Sequence, residues 1–203
     1  MLNNKTIAVV VPTFNESTQI KMVLDSMPDF VDRIIVVDDC SKDDTVSHVQ
    51  EYFDNNSSNI NIPSLFKQDI VSNPYNKADI ELRERAKKEI DFFTPSEVLN
   101  HDDENERIIL IQHKKNGGVG AARATGYKWC KDHNISCSAA MDGDGQMDPS
   151  ELESICSPVI NEGVDYVKGN RLIHESAWVI IPKIRFFGNS ILSILTKIAS
   201  GYW

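Results

Sequence analysis

A nearly unbroken run of β-branched and small apolar residues extends from Thr6 to Val11 and ends at Pro12. Strands with one solvated face alternate apolar and polar residues, whereas a continuous run is typical of a strand buried on both faces of a parallel sheet. After the loop at 13–15, apolar residues recur at helical spacing as far as Pro28. The opening segment therefore predicts the first strand and helix of a parallel α/β sheet.

The same alternation continues along the chain. Short apolar runs predict further strands, and the segments between several of them have helical periodicity. Ser41 with Asp44 forms a predicted capping box for the second helix, and Asp148, Pro149 and Glu151 predict another helix start. We expect an α/β fold with a mostly parallel, Rossmann-like sheet flanked by helices, in one domain over residues 1–203. The further strands are predicted at Arg33–Val37, Ile108–Ile111, Ser138–Met141 and Asp165–Lys168.

Composition limits the possible functions. The 203 residues carry a net charge of -9, and no basic patch is visible, which argues against a nucleic-acid-binding protein. The four cysteines form no CxxC pair, so free thiols in a reducing compartment are expected. The N-terminus does not resemble a secretory signal, and no apolar run reaches the length of about eighteen residues that indicates a membrane span. These features predict a cytoplasmic protein.

The segment from Asp142 to Gln146, with sequence DGDGQ, follows a predicted buried strand. Two carboxylates at i and i+2 suit a hard cation, and Mg²⁺ commonly shares its coordination between one or two carboxylates and substrate phosphates. Two alternatives remain open, a solvated acidic turn and the calcium loop of an EF-hand, in which Glu153 would be the twelfth residue. The glycine that an EF-hand needs at its sixth position is replaced by Met147.

Residues 54–107 interrupt the alternation. This segment contains twelve acidic and seven basic residues, and a structureless connection of this length is unusual in a compact domain. The composition of Ala78–Phe92 favours a helix, while 55–61 and 100–105 have the composition of flexible linkers. We therefore expect a charged insertion, partly helical, on the surface of the domain, and a solvated insertion without a function of its own is the simpler interpretation.

Four motifs in this order resemble family 2 glycosyltransferases. They are VVVPTFNE at 9–16, IVVDDCSKDDT at 35–45, NGGVGAAR at 116–123 and DGDGQ at 142–146. The resemblance covers about residues 5–53 and 108–203 and excludes the insertion. DGDGQ and the later Gly169-Asn170-Arg171 look most like the polyprenyl-phosphate branch, the dolichol-phosphate mannosyltransferase-like enzymes.

The resemblance implies a GT-A fold and a role for each motif. Pro12, Thr13, Phe14 and Glu16 would line the base and ribose pocket, Asp39 would accept hydrogen bonds from the base, and Asp142 would lie against the nucleoside. Asp144, the acid of a DXD-type motif, would hold Mg²⁺ or Mn²⁺ together with Gln146. Arg171 would offer a bidentate fork to a phosphate. Each residue also has a structural interpretation, such as Phe14 in the core and Glu16 at a helix N-terminus.

The implied activity is metal-dependent transfer of a hexose, with inversion, from a UDP- or GDP-sugar to a polyprenyl phosphate, a step in building cell-envelope glycans. A glycan acceptor is the second choice, and a nucleotide-sugar-binding module without turnover is a third interpretation. Residues 183–200 have the pattern of a basic amphipathic helix, which predicts either a membrane interface, on the cytoplasmic face, or packing against the protein. In the resembled branch more sequence follows, so we expect a chain that is shortened at its C-terminus.

Overall fold

The computed structural model describes residues 1–55, 76–100, 106–169 and 183–201. Within these ranges the chain forms five strands, which are β1 (Ile7–Thr13), β2 (Arg33–Asp38), β3 (Ser96–Val98), β4 (Ile108–His113) and β5 (Cys137–Ala140). The described helices are α1 (Ile20–Asp25), α2 (Thr45–Asn55), α3 (Lys77–Lys88), α4 (Val119–Asp132), α5 (Leu152–Asn161) and α6 (Lys183–Ser200). The chain divides into two compact units, Met1–Asp165 with the sheet and α1 to α5, and Tyr166–Trp203 with α6.

The five strands form one sheet in the order β3-β4-β2-β1-β5. β1 pairs in parallel with both β2 and β5, β2 pairs in parallel with β4, and β3 is antiparallel to β4. The predicted mostly parallel sheet flanked by helices is thus confirmed. Because four strands share one direction, the loops that follow β1, β2, β4 and β5 all begin at the same edge of the sheet, where open α/β folds bind ligands.

Both faces of the sheet are buried, which explains the continuous apolar runs. On β1, for example, Val9 and Val11 pack in a cluster with α1, α2 and α5, while Ala8 and Val10 pack in another with α4. All seven residues of β1 and all six of β2 are buried. The central strands therefore have no solvent-facing positions at which polar residues would be expected.

Two predictions about local structure are wrong. Residues 165–168 form no strand, and β5 has only β1 beside it among the described strands. Ser41 does not cap α2, because its hydroxyl instead accepts a hydrogen bond from the Asn15 backbone N–H at 2.9 Å. α2 begins at Thr45, whose backbone N–H donates to Asp43. The helix start predicted after Asp148 is confirmed. The Asp148 side chain accepts a hydrogen bond from the Ser150 N–H and caps a short 3-10 turn, Pro149–Glu151, which leads directly into α5.

The helix predicted in the insertion is confirmed as α3 and the 3-10 turn Glu89–Phe92 that follows it. The insertion also contributes β3, which the sequence did not indicate. The linkers predicted at 55–61 and 100–105 lie almost wholly outside the described residues. The calcium-loop alternative for DGDGQ is excluded, because a strand rather than a helix precedes the loop.

Candidate nucleotide-sugar site

The loops at the carboxyl edge of the sheet enclose a cleft of about 140 Å³. It brings together seven residues that the sequence singled out from three separate motifs. Val119 and Ala122 of α4 complete its wall. The seven are Pro12, Thr13, Phe14, Glu16, Asp39, Asp142 and Asp144.

Two predicted residues are not part of the described cleft. Gln146 is exposed and is not one of the residues lining it, and its backbone N–H donates to Asp144 Oδ1 at 3.0 Å. Arg171 lies outside the described residues. The structure therefore places Asp144 in the cleft without bringing the Gln146 side chain to its wall.

The loop after β1 is fastened to the loop after β2. The Asn15 backbone N–H donates to Ser41 Oγ at 2.9 Å, and the Lys42 N–H donates to Asn15 Oδ1 at 2.8 Å. Asn15 and Cys40 both have positive φ angles, 57° and 63°, a region that non-glycine residues rarely adopt. These reciprocal bonds stabilise two unfavourable backbone conformations and hold Phe14, whose side chain is 44% exposed, at the cleft.

Asp43 organises the same two loops from the α2 side. Its carboxylate accepts from the Ser17 N–H at 3.1 Å and from the Thr45 hydroxyl at 2.5 Å, and Thr45 Oγ1 accepts from the Glu16 N–H at 2.9 Å. Burial alone would raise the pKa of Asp43, but hydrogen bonds from Thr45 and Ser17 outweigh it and lower the pKa to about 2. Asp43 thus acts through the backbone and not as a ligand of the cleft.

Asp39 joins the loop after β2 to the glycine-rich loop that precedes α4. Its carboxylate accepts from the backbone N–H groups of Gly117 at 2.8 Å and Gly118 at 2.7 Å. Its backbone carbonyl accepts from Asn116 Nδ2 at 3.1 Å. Gly118 has a φ of 83°, so a residue with a side chain would be strained there. The motif NGGVGAAR is therefore built to present backbone N–H groups to Asp39.

His113, the last residue of β4, supports Asp39 from behind. Its Nδ1 lies 2.7 Å from Asp39 Oδ1, and its Nε2 lies 2.9 Å from the hydroxyl of Thr125 on α4. The imidazole is fully buried. A hydrogen-bonded chain thus extends from α4 through β4 to the wall of the cleft.

Asp142 forms an ion pair with Arg123 of α4, with 2.5 Å between Arg123 Nη2 and Asp142 Oδ1. This pair fastens the DGDGQ loop to the helix that begins at the glycine-rich loop. Arg123 thus holds a residue of the cleft wall in place through this ion pair.

Glu16 lies in the most negative part of the cleft. A Cβ at Gly143 would overlap Glu16 Oε2, so the glycine allows the DGDGQ loop to pass directly over this carboxylate. Glu16 Oε2 is buried and has no hydrogen-bond partner among the described residues. Burial, the largest cause, and then the negative charges of Asp144 and Asp142 raise its pKa to about 7, with Asp43 contributing least.

This arrangement fits a divalent cation that takes few protein ligands. The described residues contain no group of three His, Cys, Asp or Glu side chains placed to enclose a metal ion. Mg²⁺ is usually held by one or two carboxylates while water and substrate phosphates complete its shell. Asp144 lies in the cleft with Glu16, whose buried Oε2 has no hydrogen-bond partner among the described residues. The two acids offer a site of that kind, in which a cation would relieve their mutual repulsion.

Most of the chain matches a known protein family. The family model for Glycosyl transferase family 2 matches residues 8–67 and 93–201. The chain belongs to this family. The model passes over 68–92, the part of the insertion that contains α3.

Two curated relatives share 31% sequence identity or less with this chain over the aligned residues. A UDP-N-acetylglucosamine–dolichyl-phosphate N-acetylglucosaminyltransferase of Methanococcus voltae is 27% identical over 202 residues, 98% of this chain and 65% of that protein. An uncharacterized protein of Methanocaldococcus jannaschii is 31% identical over 98 residues, 48% of this chain and 40% of its own length. The chain thus spans less than two thirds of the length of these curated relatives.

Among solved structures, S. aureus TarS 1–349 in complex with UDP aligns with 79% of this chain and 33% of its own, at 18% identity and a TM-score of 0.44. M. tuberculosis glucosyl-3-phosphoglycerate synthase aligns with 78% of this chain and 42% of its own, at 22% identity and a TM-score of 0.39.

Sequence reasoning missed His113, Thr125 and the pairing of Arg123 with Asp142. Arg123 stands at the end of a quoted motif, so its place on the first two turns of α4 was a usable signal. His113 and Thr125 lie in none of the four motifs, and they meet only because α4 packs on the end of β4.

The raised pKa of Glu16 predicts a pH-dependent stability for the metal-free protein. Between the unfolded pKa of 4.5 and the folded value of about 7, the folded state binds more protons, so stability falls as pH rises through this window. Glu16→Gln removes this contribution and should have a higher melting temperature than wild type at pH 8, with a flatter profile from pH 5 to 7. Thermal unfolding in EDTA at pH 5, 6, 7 and 8 measures this.

Asp148→Asn is the matched control, because asparagine caps a helix as well as aspartate does and residue 148 lies outside the cleft. Its profile from pH 5 to 8 should follow that of wild type. If Glu16→Gln also follows wild type at every pH, Glu16 is an ordinary solvated acid.

Proposed function

We propose that this chain transfers a hexose or N-acetylhexosamine from a nucleotide-diphosphate sugar to a polyprenyl phosphate. The observation that carries the proposal is the cleft, which places Asp39 and Phe14 together with Asp142 and Asp144 in a family 2 chain. The name of the Methanococcus voltae relative, which specifies UDP-N-acetylglucosamine and dolichyl phosphate, supports this donor class and this acceptor class.

The donor would lie along the carboxyl edge of the sheet. Phe14 offers a half-exposed ring to the base, and Asp39 offers a carboxylate oxygen to a base N–H. Pro12, Thr13 and Asp142 would surround the nucleoside. Asp144 would hold Mg²⁺ or Mn²⁺ on the diphosphate, with Gln146 as a further candidate ligand.

The chemistry follows from the charges in this cleft. Breaking the bond between the anomeric carbon and the nucleotide leaves a diphosphate, and a divalent cation supplies Lewis-acid stabilisation of that charge. The protein residues would fix the donor and the acceptor in position, which lowers the entropic cost of the transfer. Inversion at the anomeric carbon is implied by the family resemblance and is part of this proposal. A lipid phosphate is already anionic at neutral pH, so it needs no general base to attack. Arg171 would pair with a phosphate as a bidentate donor.

Helix α6 supports an acceptor held at a membrane surface. Its apolar residues recur at helical spacing, and its charged residues are all basic. A helix of this type can lie in the interface of a bilayer that contains anionic lipids. No helix in the described part of the chain is long and apolar enough to cross a bilayer. The pattern consists of Ile184, Phe187, Ile191, Ile194, Leu195 and Ile198, with Lys183, Arg185 and Lys197.

The transfer reaction is tested with radiolabelled UDP- and GDP-sugars, Mn²⁺, and either dolichyl phosphate or a glycan acceptor. We expect label in the lipid fraction with wild type. Asp144→Asn should lower metal-dependent affinity for the nucleotide diphosphate by about 100-fold or more, because the carboxylate that neutralises the cation is lost. Calorimetric titration of the nucleotide with and without Mn²⁺ measures this loss, and Asp148→Asn again serves as the control.

Three outcomes would contradict these assignments. Label in the glycan instead of the lipid contradicts the acceptor. Tight metal-dependent binding with neither transfer nor donor hydrolysis indicates a binding module. Unchanged Mn²⁺-dependent affinity in Asp144→Asn contradicts the metal role.

Membrane association is tested by cosedimentation with vesicles that contain anionic phospholipid. Ile191→Glu places a charge within the apolar face of α6 and should strongly reduce the bound fraction. Ser193→Glu adds the same charge about 200° around the helix and should have a much smaller effect. Equal binding by wild type and Ile191→Glu would show that α6 does not mediate membrane contact.

A further inference from the structure

The hydrogen bonds around Asp39 determine how it can recognise a ligand. Both carboxylate oxygens accept backbone N–H bonds, so the group acts as an ionised acceptor and His113 Nδ1 must carry the proton that it shares with Oδ1. On the other side of the ring, His113 Nε2 forms a hydrogen bond with the Thr125 hydroxyl, 2.9 Å away. Thr125 therefore helps to fix the orientation of the ring.

A carboxylate offers about four acceptor positions, two on each oxygen. Oδ1 of Asp39 accepts from His113 at 2.7 Å and from the Gly117 N–H at 2.8 Å, while Oδ2 accepts from the Gly118 N–H at 2.7 Å. Among the bonds made by the described residues, three positions are thus filled and one, on Oδ2, is left for a ligand. The side chain is 4% exposed and lines the cleft, so an incoming base meets only this part of it.

The common nucleotide bases differ in what they require from a carboxylate. Guanine presents two adjacent donors, N1–H and the 2-amino group, which match the two oxygens of a free carboxylate in a bidentate arrangement. Uracil presents a single donor, N3–H, between two carbonyl oxygens. One acceptor position satisfies uracil completely, whereas it leaves a buried guanine donor without a partner, and an unmet donor in a dry site is costly.

We propose that His113 is a specificity-determining residue, which selects uracil over guanine by occupying Oδ1 of Asp39. It acts through Asp39 and is not itself a catalytic residue. The proposal rests on the nucleotide-binding function proposed above, and it assigns the base to that site. It also gives Thr125 a defined part, since without its hydroxyl the buried ring loses the partner that orients it.

The test is calorimetric titration of UDP and GDP, each with Mn²⁺, into the full chain. Wild type should bind UDP at least about tenfold more tightly than GDP, the size expected when one buried donor lacks a partner. His113→Leu frees Oδ1, and Thr125→Val releases the ring at nearly constant volume. In both variants the ratio of the two dissociation constants should fall to about threefold or less, and Thr125→Ser should restore it.

A structural role alone would weaken UDP and GDP equally and leave their ratio unchanged, so the ratio separates the two roles. Because loss of a fully buried imidazole can unfold the chain, Thr125→Val carries the test if His113→Leu does not fold. His133 stacks on Trp129 and does not line the cleft, so His133→Gln is the control and should leave the ratio at the wild-type value. An unchanged ratio in a folded Thr125→Val protein overturns the specificity role of His113 but leaves the proposed function intact. Failure of wild type to bind either nucleotide overturns the proposed function and this inference with it.

Discussion

The carboxylate of Asp39 accepts bonds from His113 and from the backbone N–H groups of Gly117 and Gly118, and the geometry of the cleft depends on these contacts. They connect the end of β2, the end of β4 and the start of α4 through one buried charge. A carboxylate with only 4% of its surface exposed is stabilised by the three hydrogen bonds that it accepts. The Asp39 carboxylate therefore has two roles, because it holds the loops in position and also lines the cleft where a ligand would bind.

The other end of the cleft is organised by unbalanced charge. Arg123 neutralises Asp142, but Asp144 and the buried Oε2 of Glu16 have no cationic partner among the described residues. Burial of Glu16, and after it the charges of Asp144 and Asp142, raise the pKa of Glu16. A cation that arrives with a phosphate would stabilise such a cluster of acids, and this is the physical ground for the proposal of a metal-dependent donor site.

Two kinds of feature could be predicted from the sequence. They are strands that are buried along their length, and polar side chains that lie at the carboxyl edge of the sheet. β1, β2 and β4 were recognisable because nearly all of their residues are buried on both faces of the sheet. The short edge strand β5 is only partly buried, but its small apolar residues still indicated a strand. The three residues of β3 are all exposed and carry no such pattern, while the wrongly predicted strand at 165–168 contains one β-branched residue, Val167. The predicted cleft residues were found together because each lies at the carboxyl end of a strand or in the loop that follows it. Contacts made across packed elements, such as His113 with Thr125, have no local signature.

A crystal structure of the chain with UDP and Mn²⁺ tests the central claim most directly, because the two ends of the cleft are assigned to different parts of one ligand. We predict anomalous density for Mn²⁺ beside the Asp144 carboxylate, in contact with the diphosphate, and the uracil N3–H within hydrogen-bonding distance of Asp39 Oδ2. A nucleotide bound elsewhere, or Mn²⁺ coordinated away from Asp144, would contradict this account of the cleft.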